Sequence, residues 1–137
     1  MSFEALTRID PAILNEAARN FWEGVDREEL VLPQCSVCGK WSWYPTDTGC
    51  CSNGSLVWRP LPGTGTVFTH SRVHYGFLPE MSGATPFNVA LIELDLAEGV
   101  RFVGLLGYQN PRIGDRVKVQ YADRPGGKFP LFLPSID

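Results

Sequence analysis

Four cysteines stand in two close pairs, Cys35/Cys38 and Cys50/Cys51, and they are all the chain has. Cys35-Ser36-Val37-Cys38-Gly39 is a knuckle: two thiols three positions apart, then a glycine that lets the backbone turn its amides toward both sulfurs. That arrangement suits zinc, which takes four thiolates in a tetrahedron at about 2.3 Å each. The other pair, in Cys50-Cys51-Ser52-Asn53-Gly54, departs from a second knuckle. Aligning the knuckle glycine with Gly54 makes Cys50 the third ligand and puts Asn53, a poor zinc ligand, in the fourth place. Three readings stay open: a four-cysteine zinc site that uses Cys51, a three-cysteine site completed by water or another residue, and a ribbon that holds no metal. A zinc ion here would be structural and would act by folding the ribbon, since no histidine lies nearby and the one close acid, Asp47, falls in an expected turn. A redox role for Cys35-x-x-Cys38 would need a βαβ context, and none is visible.

Other chemistry is sparse. His70 and His74 stand four apart on an expected strand, which puts both on one face; they read as ordinary strand histidines near a barrel mouth rather than an acid/base pair. There is no G-x-S-x-G elbow, and Gly63-x-Gly65 is not followed by a helix, so it is no phosphate loop. Asp95 and Glu98 flank a turn. Nothing assembles a nucleophile with a base, so the chain is not expected to be catalytic alone.

The elements that must carry these residues follow from pattern. Asp10-Pro11 reads as a helix start. The residues after it place Ile13, Leu14, Ala17, Ala18, Phe21 and Trp22 on one stripe, with Gly24 as the stop. A short run, Glu29 to Pro33, leads into the cysteine region. Between the cysteine pairs, Lys40 to Tyr44 looks like a strand that Pro45 ends. From about Leu56 the pattern changes: Val57-Trp58 leads into Pro60 and Pro62, then Gly63 and Gly65, and strands follow. Strands are expected at Thr66–Tyr75, Phe87–Leu94, Val100–Gly107, Arg116–Tyr121 and Phe129–Leu133, joined by short turns except for the longer loop 76–86. Val117, Val119 and Tyr121 alternate with Arg116, Lys118 and Gln120, one face in and one out. Five strands with glycine-rich turns suit a small barrel of OB type. The expected fold is therefore mainly β: an N-terminal helical segment (1–28), a rubredoxin-like zinc ribbon (29–60) and a five-stranded OB-type barrel (61–137).

Composition narrows the function classes. The 137 residues are 44% hydrophobic and 20% charged, an ordinary globular balance. Net charge is −3 and the twelve Lys and Arg are scattered, which disfavours a nucleic-acid surface. No apolar run approaches the roughly 20 residues that span a bilayer, and the N-terminus has no signal-peptide pattern. A cytoplasmic location is expected, with no membrane partner, and there the cysteines are metal ligands rather than disulfides.

The order of parts resembles a known family. Phe21-Trp22-Glu23-Gly24 is followed by Leu30-Val31-Leu32-Pro33-Gln34, the knuckle Cys35-x-x-Cys38-Gly39, Tyr44-Pro45, the second cysteines and Trp58. Gly65-Thr66-Val67 then opens a barrel strand, Phe87 to Leu94 supplies the next, Ile113-Gly114-Asp115-Arg116-Val117 leads into the fourth, and Pro130-Leu131-Phe132 closes the chain. From about Asn15 to Pro134 this is similar to the stand-alone zinc-ribbon/OB-fold proteins that partner thiolase-like enzymes. The resemblance implies a non-catalytic small subunit of a heteromeric acyl-CoA enzyme, acting in thiolysis, retro-aldol cleavage or acyl transfer, as in steroid or aromatic degradation. It implies a thiolase-like large subunit as partner, in an α2β2 assembly. Under that reading Arg72, His74 and Tyr75 border the passage for acyl-CoA: arginine for phosphate, aromatics for adenine. The competing expectations are a free-standing acyl-CoA-binding protein and a single-stranded nucleic-acid module, because OB barrels often stack bases.

Overall fold

The computed structural model describes residues 18–44, 50–51, 54–75, 85–124 and 126–135. Within them lie one helix, α1 (Arg19–Asp26), and seven strands: β1 (Leu30–Cys35), β2 (Leu56–Leu61), β3 (Thr64–Val73), β4 (Phe87–Leu94), β5 (Arg101–Leu106), β6 (Arg116–Arg124) and β7 (Gly127–Pro134). β1 and β2 form an antiparallel pair, and the other five close into a barrel in the order β3-β4-β5-β7-β6. The expected mainly β architecture of ribbon followed by OB-type barrel is what the chain adopts.

The barrel's interior is built by alternation. On β4 the inward residues Asn88, Ala90, Ile92 and Leu94 are buried, and on β5 Phe102 and Leu106 are. Val67, Val117, Val119 and Phe132 complete the core. Among the described residues the one buried polar side chain is Asn88, which donates from Nδ2 to the Tyr108 carbonyl at 3.0 Å. β6 and β7 pair along their whole lengths, whereas β5 meets β7 in parallel at Leu106↔Phe132 alone.

The helix packs where ribbon meets barrel. Phe21 and Val25, four apart on one face, are buried, and Trp22 is half-buried beside Phe129. Gly24 does not stop the helix, which runs on to Asp26. Its role is close approach: a Cβ there would meet Val31 Cγ2 at 2.7 Å and the Glu29 carbonyl at 2.9 Å. Asp26 then ties the helix to the far end of the chain, its Oδ1 accepting from the Lys128 backbone N–H at 2.9 Å. The expected helix start at Asp10-Pro11 and stripe residues Ile13, Leu14 and Ala17 lie outside the described residues.

Three further expectations change. Lys40 to Tyr44 does not form a strand: only Trp41 bridges, to Gln34. Around it the Cys35 N–H donates to the Lys40 carbonyl and the Ser42 N–H to that of Pro33, both at 2.9 Å. Those two bonds hold the segment against β1 without a continuous ladder. The first barrel strand ends at Val73, so His74 and Tyr75 lie beyond it. And the stretch through Pro60, read from its prolines as a lead-in, is strand β2, paired with β1 from Cys35↔Leu56 to Leu30↔Leu61. An isolated two-stranded pair has a free side on each strand, which is where proline is tolerated.

Candidate metal centre and its surroundings

The open end of the β1–β2 pair carries the cysteines. Cys35 is the last residue of β1, and its register partner Leu56 opens β2, so both cysteine loops leave the same end of one hairpin. In the first loop the Gly39 N–H returns to the Cys35 carbonyl at 3.0 Å, and Gln34 Nε2 donates to the Gly39 carbonyl at 2.9 Å. The loops are laced together by the Ser36 N–H on the Ser55 carbonyl at 2.9 Å and the Ser55 N–H on Ser36 Oγ at 3.0 Å.

The four Sγ atoms of Cys35, Cys38, Cys50 and Cys51 all lie within 4.8 Å of one another. A tetrahedron of thiolates about 2.3 Å from zinc has edges of about 3.8 Å. Cys50 and Cys51 stand 3.9 Å apart and Cys38 and Cys50 3.1 Å. Neighbouring cysteines therefore both reach one centre. The reason is a shorter second loop: the Gly54 N–H donates to the Cys51 carbonyl at 2.8 Å, three residues back, where the first loop closes over four. Counting back from Gly54 thus leads to Cys51 as loop opener. Gly54 itself lies on the buried sulfur, since a Cβ there would sit 3.0 Å from Cys35 Sγ.

The donor set has the electrostatics of a cation site. The amides of Cys38 and Val37 point at Cys35 and lower its pKa to about 6, so it is a thiolate at neutral pH. The sulfurs of Cys38 and Cys35 push Cys50 up to about 12, and Cys38 chiefly raises Cys51 as well. Four thiols this close cannot all ionise unaided, and a divalent cation between them removes the conflict. The residues fit structural zinc, which when bound would tie the two loops into one unit.

The remaining predicted residues take separate places. Arg72 lies on β3 opposite Asn88, with its side chain exposed. His74 and Tyr75 follow the strand's end, also exposed. The three share one end of β3. His70 sits within β3 opposite Ala90. β3 ends at Val73, so His74 lies beyond the strand and the two histidines do not form a pair on one continuous strand face.

One surface was not foreseen. Phe87–Leu94, apolar on both faces apart from Asn88 and Glu93, reads from sequence as a more buried strand, yet the outward residues of β4 and β5 form an apolar face within reach of solvent. Val89 pairs with Leu105 and Leu91 with Val103, with Glu93↔Arg101 at the end. Val103 is 41% exposed and Phe68, on β3 at the other side of β4, 39%. The Arg101 guanidinium lies over the Phe68 ring at 3.9 Å. A solvated face of an antiparallel sheet ordinarily alternates to polar residues. The signal was present in the sequence as Val89, Leu91, Val103 and Leu105 on one parity.

Comparison with known proteins bears on both halves. Residues 22–56 match the family described as the ChsH2 rubredoxin-like zinc ribbon domain, and residues 58–122 the ChsH2 C-terminal OB-fold domain. Among solved structures, one described as the Ltp2-ChsH2(DUF35) aldolase is similar at 27% identity and a TM-score of 0.74, covering 89% of this chain and 97% of that one. A DUF35-family protein of unknown function from Sulfolobus solfataricus shares the fold, with 16% identity, a TM-score of 0.61 and coverage of 87% and 85%. No curated protein sequence matches. Among the described residues no helix is long and apolar enough to cross a membrane.

Proposed function

The chain belongs to the ChsH2 family of zinc-ribbon/OB-fold proteins, and on that premise we propose that it is the non-catalytic small subunit of a thiolase-like enzyme acting on acyl-CoA. The observation that carries this reading is the likeness over nearly the full length of both chains to a structure whose name joins ChsH2 to a second component, Ltp2, in an aldolase. The large subunit supplies the nucleophile and the acyl pocket; the small one supports assembly and borders the substrate's path. Retro-aldol cleavage is the favoured reaction among thiolysis, acyl transfer and cleavage, and an α2β2 assembly the favoured stoichiometry.

Two features support the reading. The face of Phe68, Val89, Leu91, Val103 and Leu105 is the kind of exposed apolar surface that partners cover. The end of β3 presents Arg72, His74 and Tyr75 together: a guanidinium suits a phosphate and a phenol ring suits stacking on a base. The zinc ribbon, in this reading, serves folding rather than chemistry.

The test is co-expression with a thiolase-like large subunit. The pair should co-purify and cleave a β-hydroxyacyl-CoA, while Val103→Glu, on the exposed face, should abolish co-purification and leave the melting temperature of the isolated chain within a few degrees. Full turnover by the large subunit alone would overturn the subunit reading.

A further inference from the structure

Structural zinc sites ordinarily fill all four coordination positions with protein ligands, and those ligands need not be equally sheltered. This one is lopsided. Cys35 is 2% exposed, held on β1 with Gly54 against its sulfur. Cys38 and Cys50 are both exposed, and Cys51 is half-buried. The two exposed sulfurs are also close together, 3.1 Å apart, and they come from different loops.

We infer that Cys38 and Cys50 are an oxidation-sensitive pair through which peroxide expels the ion and unfastens the ribbon; this rests on the zinc reading of the site. A thiolate of the pair attacks one peroxide oxygen, the O–O bond breaks, and a sulfenic acid and hydroxide result. The second thiolate attacks that sulfur and displaces a second hydroxide. Two protons from solvent convert both hydroxides to water, so two thiolates and one peroxide give one disulfide and two waters. The sulfurs are oxidised and the peroxide is reduced. Zinc is then left with Cys35 and Cys51, too few ligands to hold it, and departs. Thiol reductant reverses the sulfur chemistry and restores four donors.

Four of the five alternative pairings are disfavoured by the same geometry. Cys50 and Cys51 are sequence neighbours with sulfurs 3.9 Å apart, and a bond between adjacent residues closes a small ring that distorts the intervening peptide. Cys35 is screened by Gly54 and the body of the hairpin.

Full-length zinc-loaded protein is titrated with hydrogen peroxide while released zinc is followed with a chromogenic chelator, free thiols are counted, and the products are mapped by mass spectrometry of non-reduced peptides. Zinc and two thiols should disappear in step, one ion per chain, with a Cys38–Cys50 linked peptide; dithiothreitol with added zinc should restore the starting metal content. Oxidation with zinc retained, a linkage other than Cys38–Cys50, or thiols that stay reduced at peroxide concentrations that oxidise free cysteine would each overturn the inference. Metal content before peroxide reports separately on the zinc reading. If the chain carries no zinc, mapping the apo protein still decides which pair bonds.

Discussion

The indole of Trp43 lies 5.2 Å from the ring of Phe102, so a residue of the ribbon loop packs on the core of the barrel. Phe21 of α1 joins the same cluster, 4.9 Å from Trp43 and 5.7 Å from Phe102. Helix, ribbon and barrel thus meet at three rings.

Removing the middle ring should separate ribbon from barrel. Trp43→Ala is expected to cost about 3 kcal/mol, the lower end for losing a large aromatic, because Trp43 is half-buried. Trp43→Phe should cost about 1 kcal/mol or less: it keeps a ring in the cluster, and among the described residues the buried Nε1 has no hydrogen-bond partner to lose. Urea denaturation of both variants distinguishes ring packing from polar contact; equal losses would contradict this account.

Gly24 offers a sharper contrast, since propensity and packing predict opposite signs. Alanine is the better helix former by about 1 kcal/mol. Its Cβ, however, would press on Val31 Cγ2 and on the Glu29 carbonyl, the latter backbone that cannot swing aside. Gly24→Ala should therefore destabilise the chain by about 2 kcal/mol, read from the shift in denaturant midpoint.

At the metal centre, Cys51 is the informative position. Cys51→Ser should lower zinc content well below one ion per chain by elemental mass spectrometry, and Asn53→Ala should leave it unchanged. Chelation of the wild type should lower its melting temperature and alter Trp fluorescence, because Trp41 and Trp43 lie in the loop that follows Cys38. Zinc retained at full stoichiometry in Cys51→Ser would exclude the adjacent pair as co-ligands.

The sequence carried much of this and lost some of it for identifiable reasons. Strict alternation in Val117, Val119 and Tyr121 revealed β6, and the run at Phe87–Leu94 gave β4 to the residue. β2 was hidden by Pro60, since a proline inside a strand reads as a breaker until the strand proves to have a free side. The Lys40–Tyr44 segment has strand-like aromatics, but its pairing stops at Trp41. The fourth ligand was ambiguous because spacing was counted from the first knuckle, while the second loop is one residue tighter. The apolar face of β4 and β5 was mistaken for burial: a hydrophobic pattern does not distinguish a side chain covered by its own chain from one left to a partner.

Acid stability should report on Asp95. Its carboxylate is held at about 2, against the ordinary 3.8, first by Arg116 and then by Thr64, whose Oγ1 donates at 2.6 Å. A depressed folded-state pKa contributes stability that is complete above the unfolded value and fades as pH falls from about 4 toward about 2. Both side chains of the ion pair are more than a third exposed, so solvent screening limits the effect to about 1 kcal/mol at most. Asp95→Asn should flatten the acid limb of the stability curve between pH 4 and pH 2 and cost a similar amount at neutral pH; an acid limb unchanged in the variant would assign the pair no role.

The seam of the barrel has a consequence for how it breathes. β3, β4 and β5 are joined by long ladders, and β6 and β7 by another, but β5 and β7 share the single bridge at Leu106↔Phe132, with the Gly107 N–H on the Phe132 carbonyl at 2.8 Å. Closure there depends on interlocked rings and aliphatic chains, with few amides to unzip. In deuterated solvent this seam should exchange ahead of every other strand boundary, so the cylinder opens like a hinged cuff along one line while its staves stay whole.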